Sequence, residues 1–155
     1  MPSMASFATL LSLSTAILGV ALPETSAVSP TATCATGSPV TTAGYTISYY
    51  TEATPTPGAF VEGYAPKADW ASQHLVGTYT FGVPTPVETG FAYAQFKCQY
   101  YCENMSRGGS FYVSAAPDTQ VGASCNCFNE IMDPTTFVSD SEALVGAFNA
   151  ICSAP

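Results

Sequence analysis

Basic side chains are nearly absent from this chain: Lys67, Lys97 and Arg107 stand against eleven Asp and Glu in 155 residues, a formal net charge of −8. Nucleic-acid binding needs clustered cations to displace counterions from phosphates, so this composition argues strongly against it. The same scarcity removes any electrostatic grip on anionic membranes. Charged residues of both signs make up only 9% of the chain, so Ser, Thr, Gly and Tyr must supply much of the polar surface. Histidine occurs once, at His74, which borders a predicted strand and reads as a surface or loop residue. Any serine-hydrolase triad would have to use it, yet no Ser stands in a Gly-x-Ser-x-Gly elbow. Neither a phosphate-binding loop nor an EF-hand loop is present. Two carboxylates converging on a glycosidic bond remain an open chemistry, but nothing in the sequence selects a pair. No catalytic residue, cofactor or metal is assigned.

Long apolar runs are equally scarce. The only candidate, Phe7–Leu22, is uncharged and rich in Leu, Ala, Ile and Val. It falls short of the ~20 predominantly apolar residues that a membrane span needs. Its end is rich in small residues, with Gly19 and Ala21 at the minus-three and minus-one positions of a cleavage after Ala21. Residues 1–21 are therefore expected to be a cleaved signal peptide, with Thr25-Ser26-Ala27 as a second cleavage option. Residues 22–33 read as a flexible Ser/Thr/Pro-rich leader, and residues 34–152 as one domain. The expected address is extracellular, in solution or at a cell wall, with no membrane partner.

What the sequence does have is cysteine. All six, Cys34, Cys98, Cys102, Cys125, Cys127 and Cys152, lie behind the expected cleavage site, which reads as a disulfide framework. Cys98 and Cys102 are four apart and share a face if helical, while Cys125 and Cys127 are two apart and share a face if extended. The economical wiring joins the helix pair to the strand pair, in either order, and leaves Cys34 for Cys152. The rival is a metal site, but neither spacing is the usual one for zinc fingers or ribbons.

The pattern around these cysteines predicts alternating strands and helices. Gly44–Tyr50 alternates bulky and small residues, a strand with Tyr45, Ile47 and Tyr49 on one face, ended by the Thr-Pro-Thr-Pro-Gly run at 54–58. Phe60–Ser72 reads as a long aromatic loop, and Leu75–Phe81 as a second strand with Tyr79 and Phe81 inward. Thr85-Pro86-Val87-Glu88 combines an N-cap, Pro at the first helical position and a capping-box Glu. The helix it opens carries a stripe of Val87, Phe91, Ala94, Cys98, Cys102 and Met105, and stops at Arg107-Gly108-Gly109. Ser110–Ser114 and Ser124–Phe128 read as strands. Ser139-Asp140-Ser141-Glu142 forms a second capping box before Leu144, Ala147, Phe148 and Ile151, predicting a short C-terminal helix. The expected class is α+β: a small antiparallel sheet packed on one main helix, with that short C-terminal helix, stapled by disulfides.

The central block, Phe96-Lys97-Cys98-Gln99-Tyr100-Tyr101-Cys102, then Gly109-Ser110-Phe111-Tyr112-Val113, then Cys125-Asn126-Cys127-Phe128, resembles the PAN/apple-like modules of small secreted fungal proteins. In that family a helix with two cysteines lies on a small antiparallel sheet and is disulfide-bonded to it. A third bridge in the apple form joins the two ends, the role open here to Cys34 and Cys152. The resemblance implies a non-enzymatic recognition module for an extracellular glycan or protein. The alternatives are a small secreted glycoside hydrolase using two carboxylates, and a cell-surface or effector protein.

Phe60, Tyr64 and Trp70 are the candidate binding residues, because aromatic rings stack on sugar faces and anchor protein partners. The competing role for them is a small core beneath the loop. Asn104-Met105-Ser106 is an N-glycosylation sequon near the end of the main helix, so Asn104 is the candidate attachment site. Thiol titration checks the cysteine reading: the denatured, unreduced protein should release no thiol, and the reduced protein all six. Two free thiols per chain before reduction would refute the framework.

Overall fold

The computed structural model describes residues 33–60, 63–83, 87–105, 109–115, 122–141 and 144–152. The expected signal peptide, nearly all of the leader, the Thr85-Pro86 cap and residues 106–108 of the helix stop lie outside the described residues. Nine strands and two helices follow one another among those described: β1 (Val40–Thr42), β2 (Tyr45–Ile47), β3 (Tyr50–Glu52), β4 (Gly63–Pro66), α1 (Ala68–His74), β5 (Leu75–Phe81), α2 (Val87–Met105), β6 (Ser110–Ala115), β7 (Ala123–Phe128), β8 (Phe137–Asp140) and β9 (Leu144–Ala150). The class is α+β, as the sequence predicts.

The centre is an antiparallel five-stranded sheet in the order β3-β9-β6-β7-β5. Side chains alternate across a strand, so β6 sends Phe111, Val113 and Ala115 to one face and Tyr112 to the other. Helix α2 covers the first face, burying Phe91, Ala94, Cys98 and Cys102 against Ala123, Cys125, Cys127 and Phe148. Helix α1 and the two-stranded β4–β8 ribbon cover the second face, around Tyr112, Phe128, Met132, Phe137 and Ala147. Phe111 lies at the middle of the first core, stacked on Phe148 at 4.7 Å and edge-on to Tyr50 at 4.8 Å.

Three disulfides join Cys98 to Cys125, Cys102 to Cys127 and Cys34 to Cys152, with Cα–Cα distances of 5.7, 5.2 and 5.0 Å. The first two pin consecutive turns of α2 to alternate residues of β7, the wiring that spacing alone favours. The third is reinforced by backbone bonds: Ala35 donates to the Ala150 carbonyl at 2.7 Å, and Cys152 donates to the Ala35 carbonyl at 2.9 Å.

Several elements differ from the sequence reading. The expected C-terminal helix is strand β9, seated between β3 and β6. Both faces of β9 are covered, so Gly146 through Ala150 are all buried and the alternation that marks a half-exposed strand is missing. Asp140 belongs to β8 and accepts from the Ser141 amide at 2.7 Å, since a cap-type side chain serves a turn as readily as a helix. The expected loop over Phe60–Ser72 contains β4 and most of α1.

Strand pattern misleads at Gly44–Tyr50 as well. The chain turns at Ser48–Tyr49, leaving Tyr49 53% exposed while Ile47 and Tyr50 are buried. The cause is Gln99 of α2, wholly buried, which accepts from the Ser48 amide at 2.9 Å and donates to the Thr46 carbonyl at 3.0 Å. Two backbone groups that would otherwise pair along a strand are satisfied by one side chain. Met105, expected in the buried stripe, is 48% exposed because it lies in the last turn of α2, beyond the second bridge. Tyr79 and Phe81 do face α2, but β5 is the sheet edge, so Tyr79 stays exposed and Phe81 half-buried.

The end-to-end bridge spans 118 residues and the two central ones 27 and 25. In the chain-entropy model the long closure contributes about 4–5 kcal/mol. Replacing Cys34 and Cys152 together with Ser should lower the unfolding free energy by about 3–5 kcal/mol while the centre stays folded. Hydrogen exchange checks this: protection is lost at Ala35 and Ile151 and retained along β6 and β7.

Candidate functional site

Helix α1 brings Trp70 and His74 onto one side by their spacing of four, and that side rests on the sheet. The Trp70 ring lies 4.9 Å from Phe128 of β7 and 4.9 Å from the His74 ring. His74 is fixed in turn: its Nδ1 lies 3.0 Å from a Glu130 carboxylate oxygen and 3.1 Å from Asn129 Oδ1. The Asn129 amide donates to the His74 carbonyl at 3.0 Å, tying the end of α1 to the end of β7. Trp70 therefore cannot swing freely. Its half-buried ring borders a depression of about 420 Å³ shared with Lys67, Asp69, Gln73 and Val138.

Tyr64 stands in β4, edge-on to Phe137 at 5.1 Å and 6.5 Å from Phe60. Its backbone is held from beneath, because the Tyr112 hydroxyl donates to the Tyr64 carbonyl at 2.7 Å. Burial raises the Tyr64 phenol above its ordinary pKa, and the Glu52 charge adds to the effect, so it remains a neutral hydrogen-bonding group. Phe60 and Tyr64 line a second depression of about 450 Å³, walled by residues 54–58, Gly63 and Val145.

All three aromatic candidates thus lie on one side of the sheet and pack as partly buried residues against the second core. The core role weighed against binding holds for each. Burial is incomplete, however, and each ring keeps an open edge in one of two separate depressions. Asn104 lies in the last turn of α2, exposed, with its amide nitrogen donating to the Tyr100 carbonyl at 2.9 Å. The six cysteines are all in bridges; the Cys98, Cys102 and Cys125 sulfurs cluster within 4.8 Å of one another because of that bonding.

A third depression, of about 750 Å³, contains Asn104 and the Cys34–Cys152 bridge but none of the candidate binding aromatics. Tyr49, Tyr100, Glu103 and Asn104 line it together with the Cys34–Cys152 bridge. The only signal in sequence is that Tyr100 points away from the buried stripe of α2. Tyr49 joins it because of the turn that Gln99 imposes. Tyr50 lies at the same place but is buried, with its pKa pushed up to about 12, chiefly by burial and secondarily by the Glu103 charge.

No protein-family model, curated protein or solved structure matches this chain.

The raised phenol has a consequence at high pH. The Tyr50 proton is held more tightly in the folded than in the unfolded chain, whose phenol has the ordinary value of 10.0. The stabilisation is complete below pH 10 and disappears as pH rises through about 12. Unfolding free energy should fall by about 2–3 kcal/mol across that window, at ~1.4 kcal/mol for each tenfold difference in proton affinity between the two states. Urea melts from pH 9 upward should show the fall, and Tyr50→Phe should make it shallower. An unchanged slope in Tyr50→Phe would assign the alkaline loss elsewhere.

Proposed function

We propose that this protein is a secreted, non-enzymatic recognition module of the PAN/apple-like kind that binds an extracellular carbohydrate. The observation that carries the reading is the setting of Trp70. A ring held rigidly between Phe128 and His74 opens onto a depression whose rim offers an ammonium (Lys67), a carboxylate (Asp69) and an amide (Gln73). A fixed aromatic plane beside a few donors and acceptors suits a sugar, whose apolar face stacks while its hydroxyls hydrogen-bond. A protein partner would use the same ring as an anchor and is the second ligand class for this surface.

Secretion draws support from the three disulfides, which persist in oxidising compartments. Among the described residues no helix is long and apolar enough to cross a membrane. The helix doubly bonded to a sheet strand, with a third bridge joining the ends, is the arrangement that the PAN/apple resemblance implies. Asn104 is proposed as an N-glycan attachment site, its amide being exposed at the end of α2.

Glycoside cleavage requires two carboxyl groups about 5–9.5 Å apart across one site. Among the described residues, Asp69 is the only carboxylate lining the Trp70 depression and Glu103 the only one lining the Tyr49–Tyr100 depression, while residues 54–58 with Phe60 and Tyr64 bring none.

A glycan array probed with the mature protein, followed by titration calorimetry, tests the proposal. Trp70→Ala should weaken the best ligand at least tenfold. Because Trp70 also packs on the core, Gln73→Ala is the companion: it is exposed, its Nε2 donates to the Asp69 carbonyl of the same helix at 3.0 Å, so it should lower the melting temperature far less than Trp70→Ala, and it should weaken binding about three- to tenfold, the loss of ~1 kcal/mol expected for one hydrogen bond. Turnover of a polysaccharide abolished by Asp69→Asn would replace the binding reading with the hydrolase one.

A further inference from the structure

We infer that the groove between Tyr49, Tyr100 and Glu103 is the seat of the first sugar of the protein's own Asn104-linked glycan. The inference rests on the proposed glycosylation of Asn104 and adds where the glycan goes and what it does. Asn104 and Tyr100 are four apart on α2 and therefore neighbours on one helix face. Both line the groove, whose volume of about 750 Å³ falls within the ~300–1,000 Å³ typical of small-ligand sites.

The attachment chemistry leaves Nδ2 with a donor. In transfer from a lipid-pyrophosphate-linked oligosaccharide, the bond from sugar C1 to phosphate breaks and the bond from Asn104 Nδ2 to C1 forms. Nδ2 gives up one of its two protons, and the lipid pyrophosphate leaves. One N–H remains on Nδ2. That hydrogen can still donate to the Tyr100 carbonyl, as Nδ2 does at 2.9 Å in the structure. The retained bond holds the side-chain amide against the preceding helical turn, beside Tyr100, rather than letting it extend into solvent.

Two rings are available there. Tyr100 is 45% exposed and Tyr49 53%, among the most exposed large apolar side chains of the described residues. Each offers a flat face suited to the apolar side of N-acetylglucosamine, and the exposed Glu103 carboxylate can accept from the acetamide N–H or a hydroxyl. Beneath them the buried Tyr50 supplies a floor. The Cys34–Cys152 bridge is part of the same wall, so a seated sugar would also shield the bond that joins the domain's two ends. The glycan then acts as an external clamp over that junction, on a different groove from the one that Trp70 borders.

The test uses the full chain expressed in a eukaryotic secretory host, with intact mass and peptide mapping to establish occupancy. Endoglycosidase trimming to a single N-acetylglucosamine isolates the first sugar, and Ser106→Ala supplies the unglycosylated reference with Asn104 intact. The trimmed protein should melt about 3–5 °C above the reference, as one stacked ring would give in a domain of this size. Its Cys34–Cys152 bridge should be reduced several-fold more slowly by a small thiol. In a Tyr100→Ala background both differences should largely vanish. Full occupancy with the same melting and reduction differences in both backgrounds would overturn the seat while leaving glycosylation in place. An unmodified Asn104 would overturn the glycosylation reading and the seat with it.

Discussion

Two sulfur bridges one helical turn apart fix α2 to β7, and their four cysteines have no solvent exposure. A single bridge would leave the helix free to rotate about it; two set its angle and its height over the sheet. That placement decides what the other face of the helix can do. Gln99, one residue past Cys98, is carried to the point where it bonds the Thr46 carbonyl and the Ser48 amide. The turn at Ser48–Tyr49 follows, and with it the burial of Tyr50 and the exposure of Tyr49. On the outer side of α2, Tyr93 and Phe96 receive Tyr45 of the β1–β2 ribbon at 5.6 and 5.4 Å. A chain with so small a core gains particular benefit from such cross-links, because little apolar area is available to oppose chain entropy.

The opposite side of the sheet is organised by aromatic packing instead. Phe128, Tyr112 and Phe137 form a base on which Trp70 and Tyr64 rest. Polar bonds lock the layer in register: Tyr112 to the Tyr64 carbonyl, Ser110 to the Glu130 carbonyl at 2.6 Å, and a pair between Asn149 and Met132 at 2.8 Å in each direction. At the turn before β8, Asp133 accepts from the Thr135 hydroxyl and amide, which holds its carboxyl below the usual range. Recognition surfaces built from such half-buried rings lose little conformational entropy when a ligand arrives, which suits the binding role proposed for Trp70. The shortage of cations gives the depression beside Trp70 a distinct character, since it contains Lys67, one of only three basic residues in the chain.

Much of the architecture is legible in the sequence, and the legible parts share a cause: they rest on local chemistry. The spacing of Cys98, Cys102, Cys125 and Cys127 dictates which faces can meet, Leu75–Phe81 and Ser110–Ala115 carry enough β-branched and aromatic residues to declare themselves, and β7 is marked by its Cys-x-Cys spacing instead. Phe60, Tyr64 and Trp70 stand out as unusual residues, but sequence could not say how much of each ring the core would claim.

The remaining features were decided only by tertiary contact. Strand β9 has the helical spacing of Leu144, Ala147 and Phe148, yet it lies between two strands with both faces covered, so packing overrode a pattern compatible with either element. A side chain at Gly146 would collide with the Gln95 amide and the Phe148 ring, a constraint invisible until helix and strand are superposed. The three depressions belong to the same category, for each joins residues from distant parts of the chain. Tyr49 and Tyr100 share a groove because α2 is bolted to β7 and Gln99 bends the chain above it. Sequence determined the cysteine framework, the charge and the class; the three-dimensional packing alone determined which aromatic faces were left for solvent, because exposure is what remains after every other surface has found its partner.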